Sequence, residues 1–294
     1  MAPMTRTRAV DAISGWFVVA ARTLPWRSDP TPWGVLVSEV MLQQTPVARV
    51  LPVYTEWMRR WPTPTALADD TAGDAIRAWG RLGYPRRALR LHAASVECRD
   101  SFGGEVPSDV GDLRSLPGIG DYTAAAVTSF AFGQRHAVLD TNVRRVHARW
   151  LDGVEFPASS VVGSKERQRA LDLLPPEPAE AAQVSIAVME LGALVCTART
   201  PTCDACPIAD LCAWRASNYP KWDGPPRRGQ SYAGTDRQCR GRLLAALREA
   251  DGPLPKATLD AVWAEPEQRE RALASLLADE LVVSDRPSSY RLPD

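Results

Sequence analysis

From Val10 to about Trp214, apolar residues recur at three- and four-residue intervals between Pro and Gly breaks, the period of amphipathic helices rather than the two-residue alternation of strands. The spacing predicts helices over residues 9–21, 33–44, 48–61, 72–79, 88–102, 122–132, 141–151, 165–174 and 181–195, each of ordinary length. The expected core is therefore an all-α bundle. Pro175-Pro176-Glu177-Pro178 separates the last two helices, and Pro225-Pro226-Arg227-Arg228-Gly229 opens a polar stretch to about Asp236 with the composition of a linker. Beyond it, residues 239–250, 256–263 and 266–279 read as three helices. Leu281-Val282-Val283 and Tyr290-Arg291-Leu292 then form a hairpin around Pro287-Ser288, which predicts a small winged-helix-like module. The organisation expected is a helical region over 1–215, a linker over 216–236 and the module over 237–294.

A chain of 294 residues has room for about two domains. No apolar run approaches the roughly 20 residues that span a bilayer, so a membrane role is set aside. Lys+Arg and Asp+Glu both total 35, so overall charge announces no polyanionic partner. Any basic face must come from local runs such as Arg86-Arg87-Ala88-Leu89-Arg90, Arg144-Arg145 and Arg227-Arg228, each of which reads equally as a solvated helix face.

Four of the six cysteines fall in the pattern Cys196-x6-Cys203-x2-Cys206-x5-Cys212, short enough to converge on one centre. A helix through Met189, Leu191 and Leu194 delivers the first, and the loop after it brings round the other three. Four thiolates suit tetrahedral zinc or an iron–sulfur cluster; ligand type alone does not separate them, but a single CxxC pair flanked by lone cysteines favours [4Fe–4S] over a zinc ribbon. Disulfides are disfavoured because the chain opens Met-Ala-Pro without an apolar leader, which points to a reducing, cytoplasmic setting. Cys98 and Cys239 have no partner spacing and read as structural thiols.

Three further segments carry candidate chemistry. Leu116-Pro117-Gly118-Ile119-Gly120 precedes a helix, so its exposed N–H groups and the helix N-terminus could hold a phosphate; an ordinary helix–helix turn fits as well. Glu39 is a lone carboxylate in the apolar run Trp33–Thr45, with no Lys or Arg within four residues. Buried there it would keep a proton near neutrality, as a general acid must; on an exposed edge it would do nothing. Asp140 follows an apolar run and opens a helix, so it reads as an N-cap, a role that also leaves an ionised carboxylate able to face a developing cation. One protonated and one charged carboxylate form the usual pair for glycosidic cleavage.

The Gly118/Gly120 turn, Asp140 and the cysteine pattern together resemble the helix-hairpin-helix DNA glycosylases of the endonuclease III branch. Leu24-Pro25-Trp26-Arg27, Val37-Ser38-Glu39-Val40-Met41-Leu42-Gln43-Gln44-Thr45, Gly80-Arg81-Leu82-Gly83-Tyr84 and Leu139-Asp140-Thr141-Asn142-Val143 narrow the likeness to the adenine DNA glycosylase (MutY) family, in the same order over residues 10–215. The resemblance implies base excision repair: removal of adenine mispaired with 8-oxoguanine or guanine in duplex DNA, by a monomeric, nucleoid-associated enzyme carrying a [4Fe–4S] cluster on Cys196, Cys203, Cys206 and Cys212. It implies Glu39 as proton donor to adenine, Asp140 as stabiliser of the sugar cation, and Tyr122 and Asn142 as supports. Trp26 and Arg27 would line the adenine pocket, Gln44 and Tyr84 would enter the duplex, and Gly118 and Gly120 would meet the backbone. Tyr122 stands where bifunctional relatives have a Schiff-base lysine, so strand cleavage should be weak or absent. Three features depart from the pattern: Ile186 replaces a Gln or Glu, Thr141 replaces a Gly, and the nudix-like domain that reads 8-oxoguanine is not evident after Asp236. A non-catalytic iron–sulfur protein that binds damaged DNA or signals redox state is the competing reading.

Overall fold

The computed structural model describes residues 3–224 and 232–294, and the Pro225–Gly229 stretch expected as linker lies outside the described residues. The helices, in chain order, are α1 (Pro3–Ala20), α2 (Pro25–Ser28), α3 (Pro32–Leu42), α4 (Val47–Arg60), α5 (Pro64–Ala68), α6 (Ala72–Trp79), α7 (Arg86–Ser101) and α8 (Val110–Ser115). They continue with α9 (Asp121–Phe132), α10 (Thr141–Leu151), α11 (Ser164–Leu173), α12 (Pro178–Leu194), α13 (Ala213–Ala216), α14 (Asp236–Glu249), α15 (Lys256–Asp260) and α16 (Pro266–Ala278). Two 3-10 turns, Cys203–Ala205 and Ala209–Leu211, and strands β1 (Leu254–Pro255), β2 (Val283–Arg286) and β3 (Ser289–Arg291) complete the described elements.

Local chemistry sets the helix starts. Pro opens α2, α5, α12 and α16, where its missing N–H costs nothing, and Thr63, Thr71, Asp140 and Thr235 accept N–H bonds as N-caps. The long helices lie where the periodicity places them. The four- to six-residue helices α2, α5, α8 and α13 were not anticipated, being too short to display a period.

The described residues form two compact units. The first comprises 3–35, 108–114 and 119–224. Its core joins Ile13 of α1, Val143, Val146 and Trp150 of α10, Leu173 of α11, and Val184, Val188 and Leu191 of α12. The second comprises 36–107, 115–118 and 232–294. In it α7 packs on α5 and α6, and Trp57 meets Trp61 and Trp79 edge to face at 4.6 and 5.8 Å. The expected division into 1–215 and 237–294 follows chain order, whereas packing groups 232–294 with 36–107. Helix α14 lies on both α16 and α6, and Arg248 Nε donates to the Ile76 carbonyl at 2.9 Å.

The elements after residue 232 run in the order α14, β1, α15, α16, β2, β3. The hairpin β2–β3 gains β1 as a third antiparallel strand, in the order β1-β3-β2. Two residues are too short for a sequence pattern to reveal β1.

Candidate functional site

Helix α3 is apolar because it is enclosed: Val35, Leu36, Val37, Val40 and Met41 are all buried. Glu39 is buried with them, 6 % exposed, which sets aside the exposed-edge reading. The end of α3 is held by Arg87, whose Nη1 donates to the carbonyls of Val40 (2.8 Å), Met41 (3.1 Å) and Gln43 (2.6 Å). Its Nη2 donates to Thr45 Oγ1 and to the Gly83 carbonyl, both at 3.1 Å. One guanidinium therefore ties the loop carrying Gln44 to the loop carrying Tyr84. Both residues adopt left-handed backbone, φ 54° and 48°, a conformation that costs a side-chain-bearing residue about 1–3 kcal/mol and persists only where neighbours enforce it. Burial lowers Arg87 to about 10.

This corrects the reading of Arg87, Arg144 and Arg145 as basic patches or solvated faces, whereas Arg86 and Arg90 are exposed and Arg227-Arg228 lies outside the described residues. Arg87 is an internal clamp. Arg144 and Arg145 are buried too, Arg144 on Glu166 (2.7 Å) and on the Ser159 and Ser160 carbonyls. Free carbonyls at loops and helix ends require donors, and these arginines supply them.

The turn before α9 needs only one of its two glycines. Gly118 has φ 82°, and a Cβ there would meet Arg90 Cβ at 2.6 Å; Gly120 is an extended N-cap with open space around it. Asp121, first in α9, is paired with Arg114 (2.9 Å) and Arg167 (3.2 Å), so two cations offset its charge at the helix N-terminus. Tyr122 follows, half-buried.

Asp140 caps α10 as expected: the Val143 N–H donates to its Oδ1 (2.6 Å) and Asn142 Nδ2 to its Oδ2 (2.9 Å). Burial raises its carboxyl, and the bonds from Val143 and Asn142 and the charge of Arg145 pull it back only in part. The N–H bonds to Asp140 thus act against the burial that raises its carboxyl. Arg145 extends the network, Nη2 donating to Asn142 Oδ1 (2.7 Å) and to the Gly192 carbonyl (2.6 Å), and Nε to the Cys196 carbonyl (2.8 Å). Gly192 permits this approach of α12 to α10, since a Cβ there would lie 2.7 Å from Asn142 Cβ.

Trp26 is buried on α2, and beside it Arg27 Nη2 donates to Glu190 Oε2 at 2.9 Å. Arg22 clamps the same carboxylate through Nε and Nη2, each at 2.7 Å. Arg27 Nη1 is buried without an acceptor among the described residues. Glu190 is fully buried; burial alone would push it up, but Arg22 and Arg27 outweigh that and hold it at about 2. The sequence reading missed Glu190, although a signal like that of Glu39 was present: the one carboxylate in the apolar run 181–194 of α12. Ile186 sits half-buried one turn before it, and Thr141 is exposed at the start of α10.

The four cluster cysteines, none of them in a disulfide, line one cavity with Arg149, Val195, Pro201, Ala209, Trp214 and Arg215. Cys98 and Cys239, also free, are buried elsewhere. Among the described residues no three Cys, His, Asp or Glu converge closely enough for a single metal ion. Burial and the three neighbouring cysteines raise Cys206 to about 11, a crowding of thiolate charge that iron would relieve. Arg149, buried 4.5 Å from the Trp214 ring, donates to Cys196 Sγ (3.4 Å) and to the Thr197 carbonyl (2.7 Å).

Residues 37–160 match the HhH-GPD superfamily base excision DNA repair proteins, and residues 196–212 match the iron–sulfur binding domain of endonuclease III, which makes the cofactor a [4Fe–4S] cluster. The adenine DNA glycosylase of Mycobacterium tuberculosis H37Rv is 52 % identical over 281 residues, covering 95 % of this chain and 91 % of the relative. That of Mycolicibacterium smegmatis is 49 % identical over 280 residues, 94 % and 93 % of the two chains. Among solved structures, a thermostable thymine-DNA glycosylase superposes with a TM-score of 0.66 at 25 % identity, covering 73 % of this chain and 98 % of its own. A non-covalent endonuclease III–DNA complex shares the fold, with a TM-score of 0.63 at 23 % identity over 74 % and 98 %. With half its residues shared across nearly the whole length of such relatives, the chain belongs to the adenine DNA glycosylase family.

Proposed function

We propose that the protein binds duplex DNA as a monomer at the nucleoid and hydrolytically removes adenine mispaired with 8-oxoguanine or guanine. The identity to adenine DNA glycosylases over nearly the whole chain carries this reading. The target base must leave the stack at a cost of a few kcal/mol, least at a mispair. Gln44 and Tyr84, preset by Arg87, enter the duplex, while Gly118 and Gly120 meet its backbone. Trp26 packs on adenine, and the unused Nη1 of Arg27 offers a donor to its ring nitrogens.

Of the two buried carboxylates in apolar helices, Glu190 is neutralised by two arginines and held ionised, so it cannot give up a proton near neutrality. The role of acid falls to Glu39, which protonates the leaving adenine, a step worth about 10²–10⁴-fold. Asp140 faces the sugar. Burial leaves its anion under-stabilised in the free enzyme, so it gains most when the oxocarbenium-like charge develops, which lowers the barrier rather than merely binding substrate. Tyr122 and Asn142 support the sugar and that carboxylate, and water completes the displacement. With no lysine at position 122, no Schiff base forms and the enzyme is monofunctional. Cys196, Cys203, Cys206 and Cys212 hold the cluster, which clips together the loop that Arg145 and Arg149 contact.

The test is single-turnover adenine release from duplexes with adenine opposite 8-oxoguanine, guanine or thymine. Wild type should release it opposite the first two, and Glu39→Gln and Asp140→Asn should not. No release from any duplex by cluster-loaded wild type overturns the assignment in favour of a binding protein.

A further inference from the structure

The chain that follows the last cluster cysteine stays with the cluster cavity. Trp214 and Arg215 of α13 line it, and Tyr219, 38 % exposed, reaches back to Cys203. Asn218 and Tyr219 both adopt left-handed backbone, φ 59° and 57°, which persists in side-chain-bearing residues only where neighbours enforce it. Here the neighbours are local. The Tyr219 N–H donates to the Trp214 carbonyl at 2.9 Å, Trp214 Nε1 donates to the Pro220 carbonyl at 2.8 Å, and the two rings meet edge to face at 5.0 Å. Further along, the Trp222 N–H donates to Glu155 Oε2 at 2.8 Å and its ring meets Phe156 edge to face at 6.2 Å. Residues 213–222 therefore form a strap fastened at both ends.

The polar groups of this strap make a directed chain. The Tyr219 hydroxyl meets both the Arg215 side chain and the Cys203 sulfur. A guanidinium can only donate, so Arg215 takes a lone pair of the phenol and leaves its O–H to donate to sulfur. Arg215 is oriented in turn by Asp210 (3.5 Å) and Asp204 (4.0 Å). In the order Arg215, Tyr219, Cys203 each bond polarises the next and brings positive charge towards the sulfur. Arg149 serves Cys196 in the same way from a buried position, at 3.4 Å. The chain through Tyr219 serves Cys203 from a residue in contact with solvent.

We propose that Arg215 and Tyr219 are positioning residues for the iron–sulfur cluster: their relay donates a hydrogen bond to the Cys203 thiolate, and the strap that holds them closes the solvent side of the cluster site. This concerns how the chain keeps its cofactor and does not rest on which base the enzyme removes. A thiolate on iron carries negative charge that a donor stabilises, which raises the reduction potential of the cluster. Outer donors of this kind contribute about 10–100-fold to metal retention. The two parts of Tyr219 have separable roles. Its ring, packed on Trp214, covers the site, and its hydroxyl donates to the ligand.

The experiment follows the absorbance near 400 nm of the cluster-loaded full chain under excess iron chelator, and the reduction potential of the cluster by protein-film voltammetry. Tyr219→Ala removes ring and hydroxyl and should speed cluster loss by about tenfold or more. Tyr219→Phe keeps the ring and removes the donor, so it should lose the cluster within about threefold of the wild-type rate, with a reduction potential shifted downward. Arg215→Ala should shift the potential in the same direction by less, since the phenol still donates. A Tyr219→Ala loss rate within about twofold of wild type would overturn the strap, and an unchanged potential in Tyr219→Phe would overturn the hydrogen bond. Cluster loss that merely tracks a lowered urea-unfolding midpoint of the whole chain would mean general destabilisation and overturn the proposal as well. If Tyr219→Ala retains no cluster on purification, the Tyr219→Phe potential decides. None of these readouts uses DNA, so their failure is distinct from a failure of the proposed glycosylase activity.

Discussion

Replacing Glu190 with Gln keeps the shape of a fully buried side chain and removes the charge that Arg22 and Arg27 enclose. The carboxyl sits at about 2 in the folded protein against 4.5 ordinarily, some 2.5 pKa units, which at about 1.4 kcal/mol per unit sets a ceiling of about 3 kcal/mol. Arg22 keeps a third of its side chain in water, so the expected loss at pH 7 is nearer 2 kcal/mol. A depressed carboxylate stabilises the fold fully above its unfolded pKa and loses that contribution as pH falls through 4.5 towards 2. About 1 kcal/mol of the gap between wild type and Glu190→Gln should therefore have closed by pH 3.5. Urea unfolding of both cluster-loaded proteins at pH 7, 5, 4 and 3.5, followed by tryptophan fluorescence, measures the gap. A difference below about 0.5 kcal/mol at pH 7, or one that does not shrink with acid, would refute the reasoning. Because Arg27 loses its anchor, adenine release should also slow at neutral pH while Glu39 and Asp140 remain in place.

Gly192→Ala drives a methyl into Asn142, which should cost about 1–3 kcal/mol and slow adenine release with little effect on DNA affinity, as urea unfolding and single-turnover rates will record. Asn142→Ala removes a bond that lowers the Asp140 carboxyl, so the acid limb of the pH–rate profile should move to higher pH; a limb that stays or falls contradicts the network. Gly118→Ala forces both a left-handed backbone and a clash with Arg90, and should weaken binding evenly across DNA sequences in filter-binding titrations. Cys203→Ser should abolish visible absorbance near 400 nm in the purified protein, where a zinc site would have had none to lose.

Much of the site was legible because its signals are local. The Cys196–Cys212 spacing, the Gly118 turn, the lone Glu39 and the capping Asp140 each combine residue type with short-range position. The long helices followed from the same logic of period and caps. Partners were not legible. Arg87, Arg144 and Arg145 looked like surface charge, yet each donates to carbonyls or carboxylates that chain folding brings near, across 22 to 51 residues for several of those bonds. Glu190 lay in plain view, but its pairing with Arg22 and Arg27 spans more than 160 residues.

By itself, then, the sequence determined the helical class, the family and the cofactor, and it singled out the cysteines and carboxylates proposed for cluster and chemistry, since period, spacing and side-chain type are properties of the chain. Only the tertiary structure decided which charges are internal, which way burial and partners push Asp140 and Glu190, and that the C-terminal helices pack on α6 with Arg237 against Tyr84. Burial and the opposing partner set those outcomes, and both exist only once distant segments meet.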